Sequence, residues 1–355
     1  MASSTAEPTT HHPGVVHQYA DRLTAFEFTY PENKRPRPHS LIVIGGLGDG
    51  LLTVPFLSSL AEALEDTDWS LFQVLLSSSF TGWSLSRLGR DAEEVGQCVH
   101  YVRNYKQTQL GDKAAPKVVI MGHSTGSQDT LHYLYMPNPL PVDPVFDGGL
   151  RHLVRPAVDG AILQAPVSDR EVIQHVVQQA SEGSTPAELE GVLLQLINMT
   201  KQMTYSDGQD VILPLNLTSK LGLTDAPISA RRFLSLVSPD SPEHPQEDDL
   251  FSSDLTDQRL EETFGVISER NLLKTKLLVL YSGNDEFVPG WVDKEKLLQR
   301  WKAAANKSGR SVWEDRFSGV VPGATHGLGG PDQDAARRDL AARVTGYLQE
   351  VVQSS

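Results

Sequence analysis

Apolar positions along the 355-residue chain fall alternately into short runs and longer stripes. Residues 40–45 read Ser-Leu-Ile-Val-Ile-Gly, a short apolar run ending in glycine, the pattern of a strand buried on both faces of a parallel sheet. Runs at 71–76, 117–121, 160–164 and 276–281 have the same character. Residues 312–317 predict a further strand, and a looser alternation at 23–30 predicts another. Between these runs the period changes. Leu88, Ala92, Val95, Val99 and Val102 recur at steps of four and three, the stripe of a long amphipathic helix packed on a sheet. Helices are also predicted over 52–65, 127–135, 293–306 and 334–353. Such alternation implies a mostly parallel sheet with helices on both faces.

The rhythm breaks between 166 and 274, where helical stretches near 171–179 and 188–203 are followed by a mixed segment at 205–224 and an acidic, proline-rich one at 239–262. This block is expected to be an insertion into a core made of 21–165 and 275–355. It leaves the core after one strand and returns at the start of the next, so it should emerge at the C-terminal edge of the sheet as a cap. Val192, Leu196 and Met199, at helical steps, give it apolar positions on which to pack. Residues 1–20, rich in Ser, Thr, Pro and His, are expected to form a disordered tail.

Composition narrows the function. Lys and Arg number 31 against 45 Asp and Glu, a formal charge of -14 that repels phosphate backbones and anionic membrane surfaces, so neither nucleic acid nor membrane is expected as a partner. The one cysteine, Cys98, leaves no intramolecular disulfide and no cysteine-pair zinc site. The N-terminus lacks the basic and apolar regions of a secretory signal, which points to a cytoplasmic protein. His100, His132, His152 and His175 have no partners at metal-ligand spacing, so no metal and no cofactor are expected. A monomer is expected.

The candidate chemistry begins at Gly122-His-Ser-Thr-Gly126, a Gly-x-Ser-x-Gly at the end of an apolar strand and the start of a helix. That context places Ser124 on a strained turn with its hydroxyl above the sheet. A serine hydroxyl needs a base, and the base needs a group to fix its tautomer. Downstream, a strand runs into Gly283-Asn-Asp-Glu286, offering Asp285 and Glu286, and a glycine-rich loop between the last strand and the last helix carries His326. The chain order of serine, acid and histidine is that of the α/β-hydrolase fold, with Asp285 favoured as the acid by its spacing after the strand and Glu286 as the alternative. Negative charge on the reacting carbonyl requires waiting N–H donors, expected at Thr125 and, in the loop Gly45-Gly-Leu-Gly-Asp-Gly50, at Leu47. A dinucleotide reading of this loop fails, because no frame satisfies Gly-x-Gly-x-x-Gly and the next strand ends at Leu76-Ser77, with no acid for a ribose.

At Gly45-Gly-Leu-Gly-Asp-Gly-Leu-Leu-Thr-Val-Pro55, Gly122-His-Ser-Thr-Gly-Ser-Gln128 and Ala324-Thr-His-Gly-Leu328 the chain resembles the fungal siderophore esterases that act on fusarinine-type siderophores. The resemblance implies an intracellular α/β-hydrolase that cleaves the ester bonds joining hydroxamate units of fusarinine C or its acetylated derivative, aiding iron release. It carries the catalytic triad onto Ser124, Asp285 and His326. The same residues also fit a general carboxylesterase or acyl-thioesterase, and a non-catalytic ligand-binding relative is the remaining alternative.

Overall fold

Among the described residues eight strands form one sheet: β1 Gly14–Ala20, β2 Leu23–Phe28, β3 His39–Ile44, β4 Trp69–Leu75, β5 Val118–His123, β6 Gly160–Gln164, β7 Leu277–Ser282 and β8 Gly319–Val321. The computed structural model of the chain describes residues 11–111, 115–142, 150–180, 183–206, 210–224 and 226–354. Across the sheet the order is β1, β2, β4, β3, β5, β6, β7, β8. The strands from β4 to β8 run parallel to one another, and β2 and β1 extend the sheet antiparallel.

The helices are α1 Leu57–Leu64, α2 Leu88–Leu110, α3 Thr125–Tyr135, α4 Asp169–Gln179, α5 Pro186–Ser206, α6 Leu215–Thr218, α7 Ala230–Val237, α8 Asp257–Thr263, α9 Ile267–Arg270, α10 Lys294–Ala305 and α11 Asp334–Gln353. The period-2 alternation of each central strand sends its side chains to opposite faces. Ile42, Ile44, Ile120 and Val279 join the side covered by α2, α3 and α10, whereas Leu41, Val43, Met121 and Leu280 join the side covered by α1 and α11. Both faces are therefore buried, each side chain of this size contributing about 1.5–3 kcal/mol. The fold is that of the α/β-hydrolases.

Helices α4 to α9 all lie between β6 and β7. Residues of α4, α5 and α7, among them Ile173, Leu196 and Phe233, bury a separate apolar cluster with Trp83, and Leu47 from the loop after β3 packs against it. The place where the chain leaves the sheet is tied to a later part of the same block. Ser168 Oγ meets Ser252 Oγ at 2.5 Å, and the buried Arg170 guanidinium donates to Asp249 at 2.9 Å. Residues 181–182, 207–209 and 225 of the expected insertion lie outside the described residues.

Three expectations are corrected. Residues 14–20, read as tail, form β1, which pairs with β2 through its backbone; His17 is its one buried side chain, bonded to Glu27 at 3.1 Å and to the Tyr101 hydroxyl at 3.1 Å. The first ten residues of that tail lie outside the described residues. The strand expected at 312–317 is a turn with a single bridge from Trp313 to Leu277, because the Glu314 carboxylate accepts the N–H groups of Arg316, Phe317 and Ser318; β8 forms just after it. The helix expected from 52 starts at Leu57, since Gln73 reaches across from β4 to accept Leu52 N–H and donate to Gly50 O, both at 2.8 Å, and so holds the preceding residues as a loop.

Candidate active site

β5 ends at His123 and α3 begins at Thr125, so the chain turns within one residue and Ser124 takes φ 54° and ψ -125°. A non-glycine residue held there carries strain of about 1–3 kcal/mol, which persists only where the surroundings over-determine it. Those surroundings are visible: Ser124 N–H donates to Gln164 O at 3.0 Å, and Ser127 N–H donates to Ser124 O at 2.8 Å. Both flanking glycines are required by close approach. A Cβ on Gly122 would lie 1.9 Å from Gly126 O, and one on Gly126 would lie 2.5 Å from Ile44 O.

The loop after β3 lies directly against the serine, since a Cβ on Gly46 would come within 2.6 Å of Ser124 Cβ and 3.1 Å of its Oγ. Of the two expected N–H donors, Thr125 is the first residue of α3, where helix amides have no intrahelical acceptor. Leu47 N–H has no acceptor among the described residues.

Asp285 and His326 come together from the loops after β7 and β8. The imidazole Nδ1 lies 2.8 Å from Asp285 Oδ2, and the other carboxylate oxygen accepts Phe287 N–H at 3.0 Å. The Asp285 side chain is fully buried. With a carboxylate as its partner, Nδ1 is the protonated nitrogen, which leaves Nε2 as the proton acceptor. Glu286 makes a different contact, its Oε2 accepting the backbone N–H of His326 at 2.8 Å. The Phe287 ring stands edge-on to the imidazole at 4.8 Å. No hydrogen bond joins Ser124 to His326 among the described residues; such contacts are often long until substrate is seated.

Two neighbours complete the electrostatics. His123, buried between Phe56 and His326, has its pKa lowered to about 4, first by burial and then by the adjacent His326, so its ring is neutral at physiological pH. Its Nδ1 donates to Gln164 Oε1, leaving Nε2 as an acceptor 4.0 Å from Asp49 Oδ2, too far for a hydrogen bond. Asp49 instead accepts Gly46 N–H at 2.7 Å. The contacts of Gln164, and of Asp49 within its glycine-rich loop, went unassigned from sequence. Among the described residues no group of three or more His, Cys, Asp or Glu converges to hold a metal, and no helix is long and apolar enough to cross a membrane.

Comparison with solved structures carries the likeness past the fold. The siderophore hydrolase EstB from Aspergillus fumigatus superposes with a TM-score of 0.86 at 47% identity, covering 97% of this chain and 99% of that one. A monoglyceride lipase from Saccharomyces cerevisiae, at 12% identity and a TM-score of 0.53, shares the fold alone. Among curated proteins, fusarinine C esterase sidJ of Aspergillus fumigatus is 48% identical over 345 residues, 96% of this chain and 97% of that protein. Esterase AN6793 of Emericella nidulans is 48% identical over 350 residues, 96% and 93% of the respective chains. The protein is a carboxylic ester hydrolase of the α/β-hydrolase class. Within that class it belongs to the family described as "Protein of unknown function (DUF1749)", which matches residues 5–349. The resemblance to fungal siderophore esterases drawn from three motifs is thus matched across nearly the whole chain.

Proposed function

We propose that the protein hydrolyses the ester bonds of fusarinine-type hydroxamate siderophores through an acyl-enzyme on Ser124. The observation that carries the chemistry is the 2.8 Å contact of His326 Nδ1 with Asp285 on loops at the same sheet edge as Ser124. In the first step Ser124 Oγ bonds to the ester carbonyl carbon, the carbonyl π pair moves to oxygen, and the hydroxyl proton passes to His326 Nε2. Leu47 and Thr125 N–H groups receive the oxyanion. Collapse expels the alcohol, which takes the proton from His326, and water then repeats the sequence to free the acid.

The substrate class rests on the 48% identity with a protein named a fusarinine C esterase. Cutting the linkages between chelating arms removes the effective-concentration advantage by which joined hydroxamates hold iron, so the reaction belongs to iron release. The segment between β6 and β7 roofs the site and selects the ester, a reading supported by the packing of Leu47 against its apolar cluster. The test incubates the protein with iron-loaded and iron-free fusarinine C, its triacetyl form and p-nitrophenyl esters, with products read by mass spectrometry. Linear and then monomeric hydroxamate acids are expected, and none with Ser124→Ala. Turnover of simple esters alone would remove the siderophore role.

A further inference from the structure

We infer that Asp49 is a positioning residue for the oxyanion site: its carboxylate folds the loop after β3 so that Leu47, and not Gly46, presents a free N–H beside Ser124. The inference rests on the proposed acyl-enzyme reaction. Residues 46–49 close on themselves twice, with Asp49 N–H donating to Gly46 O at 3.0 Å and Asp49 Oδ2 accepting Gly46 N–H at 2.7 Å. Gly48, at φ 82°, occupies the place in this turn where a side chain is disfavoured. The Gly46 amide is therefore spoken for, and the next N–H along the loop, at Leu47, is left without an acceptor among the described residues.

The other carboxylate oxygen tethers the turn to the second half of the loop. Asp49 Oδ1 accepts the Thr53 hydroxyl at 2.7 Å, and that hydroxyl oxygen accepts Gly50 N–H at 2.9 Å. Gln73 holds Gly50 and Leu52 from β4, so Asp49 links the half of the loop that faces Ser124 to the half anchored on the sheet. The placement matters because Gly46 is packed so closely on the serine that not even a Cβ would fit. A shift of the turn moves donor and nucleophile relative to each other, and donors act only when they lie about 2.7–3.1 Å from the developing oxyanion.

The readout must separate this from ordinary loop stability. A trifluoromethyl ketone suits the purpose: Ser124 Oγ adds to its carbonyl carbon, the proton passes to His326, and the resulting hemiketal oxyanion occupies the same donors. With p-nitrophenyl acetate as substrate, Asp49→Ala is expected to lower kcat by about 10- to 100-fold with KM within about threefold. Ketone affinity should fall by the same factor as kcat/KM. Asp49→Asn should recover activity to within about threefold of the parent, because an amide oxygen still accepts Gly46 N–H and its NH2 meets Thr53. If the alanine variant does not fold, Thr53→Val, which removes the second tether, should show the same paired loss on a smaller scale. Parent-like kcat in Asp49→Ala, a kcat loss with unchanged ketone affinity, or an asparagine variant no better than alanine would overturn the inference. If Ser124→Ala stays active, or the ketone fails to bind the parent, the acyl-enzyme reading itself falls, whatever Asp49 does.

Discussion

Glu286 grips the backbone of His326, its Oε2 2.8 Å from the histidine N–H, while the adjacent Asp285 takes the ring of the same residue. Two neighbouring carboxylates thus meet one histidine at different atoms, and only one of them faces the nitrogen whose protonation decides which ring atom is the base. Asp285→Asn is expected to lower kcat by about 10³- to 10⁴-fold, since an amide cannot support the imidazolium that forms. Glu286→Gln keeps an oxygen for the backbone N–H, and its loss should stay within about tenfold. Steady-state kinetics on both variants check the assignment; the reverse order would move the acid role to Glu286.

Ser124→Ala should lower kcat by about 10⁴-fold or more, because triad members act as a unit. Ser124→Gly should be equally inactive but more stable than the alanine variant by about 0.5–1 kcal/mol, since glycine takes the positive φ without strain. Urea unfolding of the pair measures the difference. Equal stability would mean that the turn is not strained.

Gly46→Ala is expected to remove activity by about 100-fold or more, because the added Cβ would lie 2.6 Å from Ser124 Cβ and 3.2 Å from His123 O. A circular-dichroism spectrum like that of the parent, together with lost reaction toward a fluorophosphonate probe, would place the damage at the serine. Unchanged probe labelling would contradict the packing described.

Two buried carboxylates should contribute stability that declines as pH rises from about 4 to about 7. Asp91 is raised from 3.8 to about 7, first by burial and then by the Glu94 carboxylate, and Asp129 is raised well above its ordinary value by burial and by Asp91. Within that window these groups hold protons in the folded chain and lose them in the unfolded one, so folding is favoured below it and less so above it. Glu27 has the opposite sign: burial pulls it upward, but His17 and Lys106 bring it to about 2, so its contribution is lost as pH falls below about 4. His123 and His132, lowered by burial to about 4 and about 3, also oppose the decline, since their contribution is lost as pH falls below about 6.5. The carboxylate share is therefore read by comparing urea unfolding of the parent and Asp129→Asn across about pH 3–8. Asp129→Asn should flatten the decline toward pH 7, and an unaltered slope would count against the assignment.

The central strands were legible because burial on both faces leaves a run of apolar residues, as in Leu41–Ile44, and β6 falls at the expected residues. β1 was not, because six of its seven residues are exposed or half-buried and its pairing is carried by the backbone, which has no sequence period. The turn at Glu314 was hidden for a related reason, since one carboxylate gathering three amides looks like any polar residue in a strand. At the site, Ser124 and Asp285 could be proposed because each follows a recognisable strand, and His326 because of its glycine-rich loop and its order behind them, although the strand that precedes it, β8, lies beyond the expected 312–317. The contacts of Asp49 and Glu286 could not, because both are side chains bound to backbone N–H groups, and such pairs appear only once the loops are folded.

β6 and β7 are parallel neighbours, with Ala161 opposite Leu277 and Gln164 opposite Leu280, so everything between them leaves the sheet at its C-terminal edge and must cross back to the opposite edge before β7 begins. A crossover fixed to the sheet at its two ends can lengthen, shorten or change composition in between without altering the register of either strand. Natural variation or engineering confined to it therefore leaves the hydrolytic frame in place, much as one handle accepts different blades.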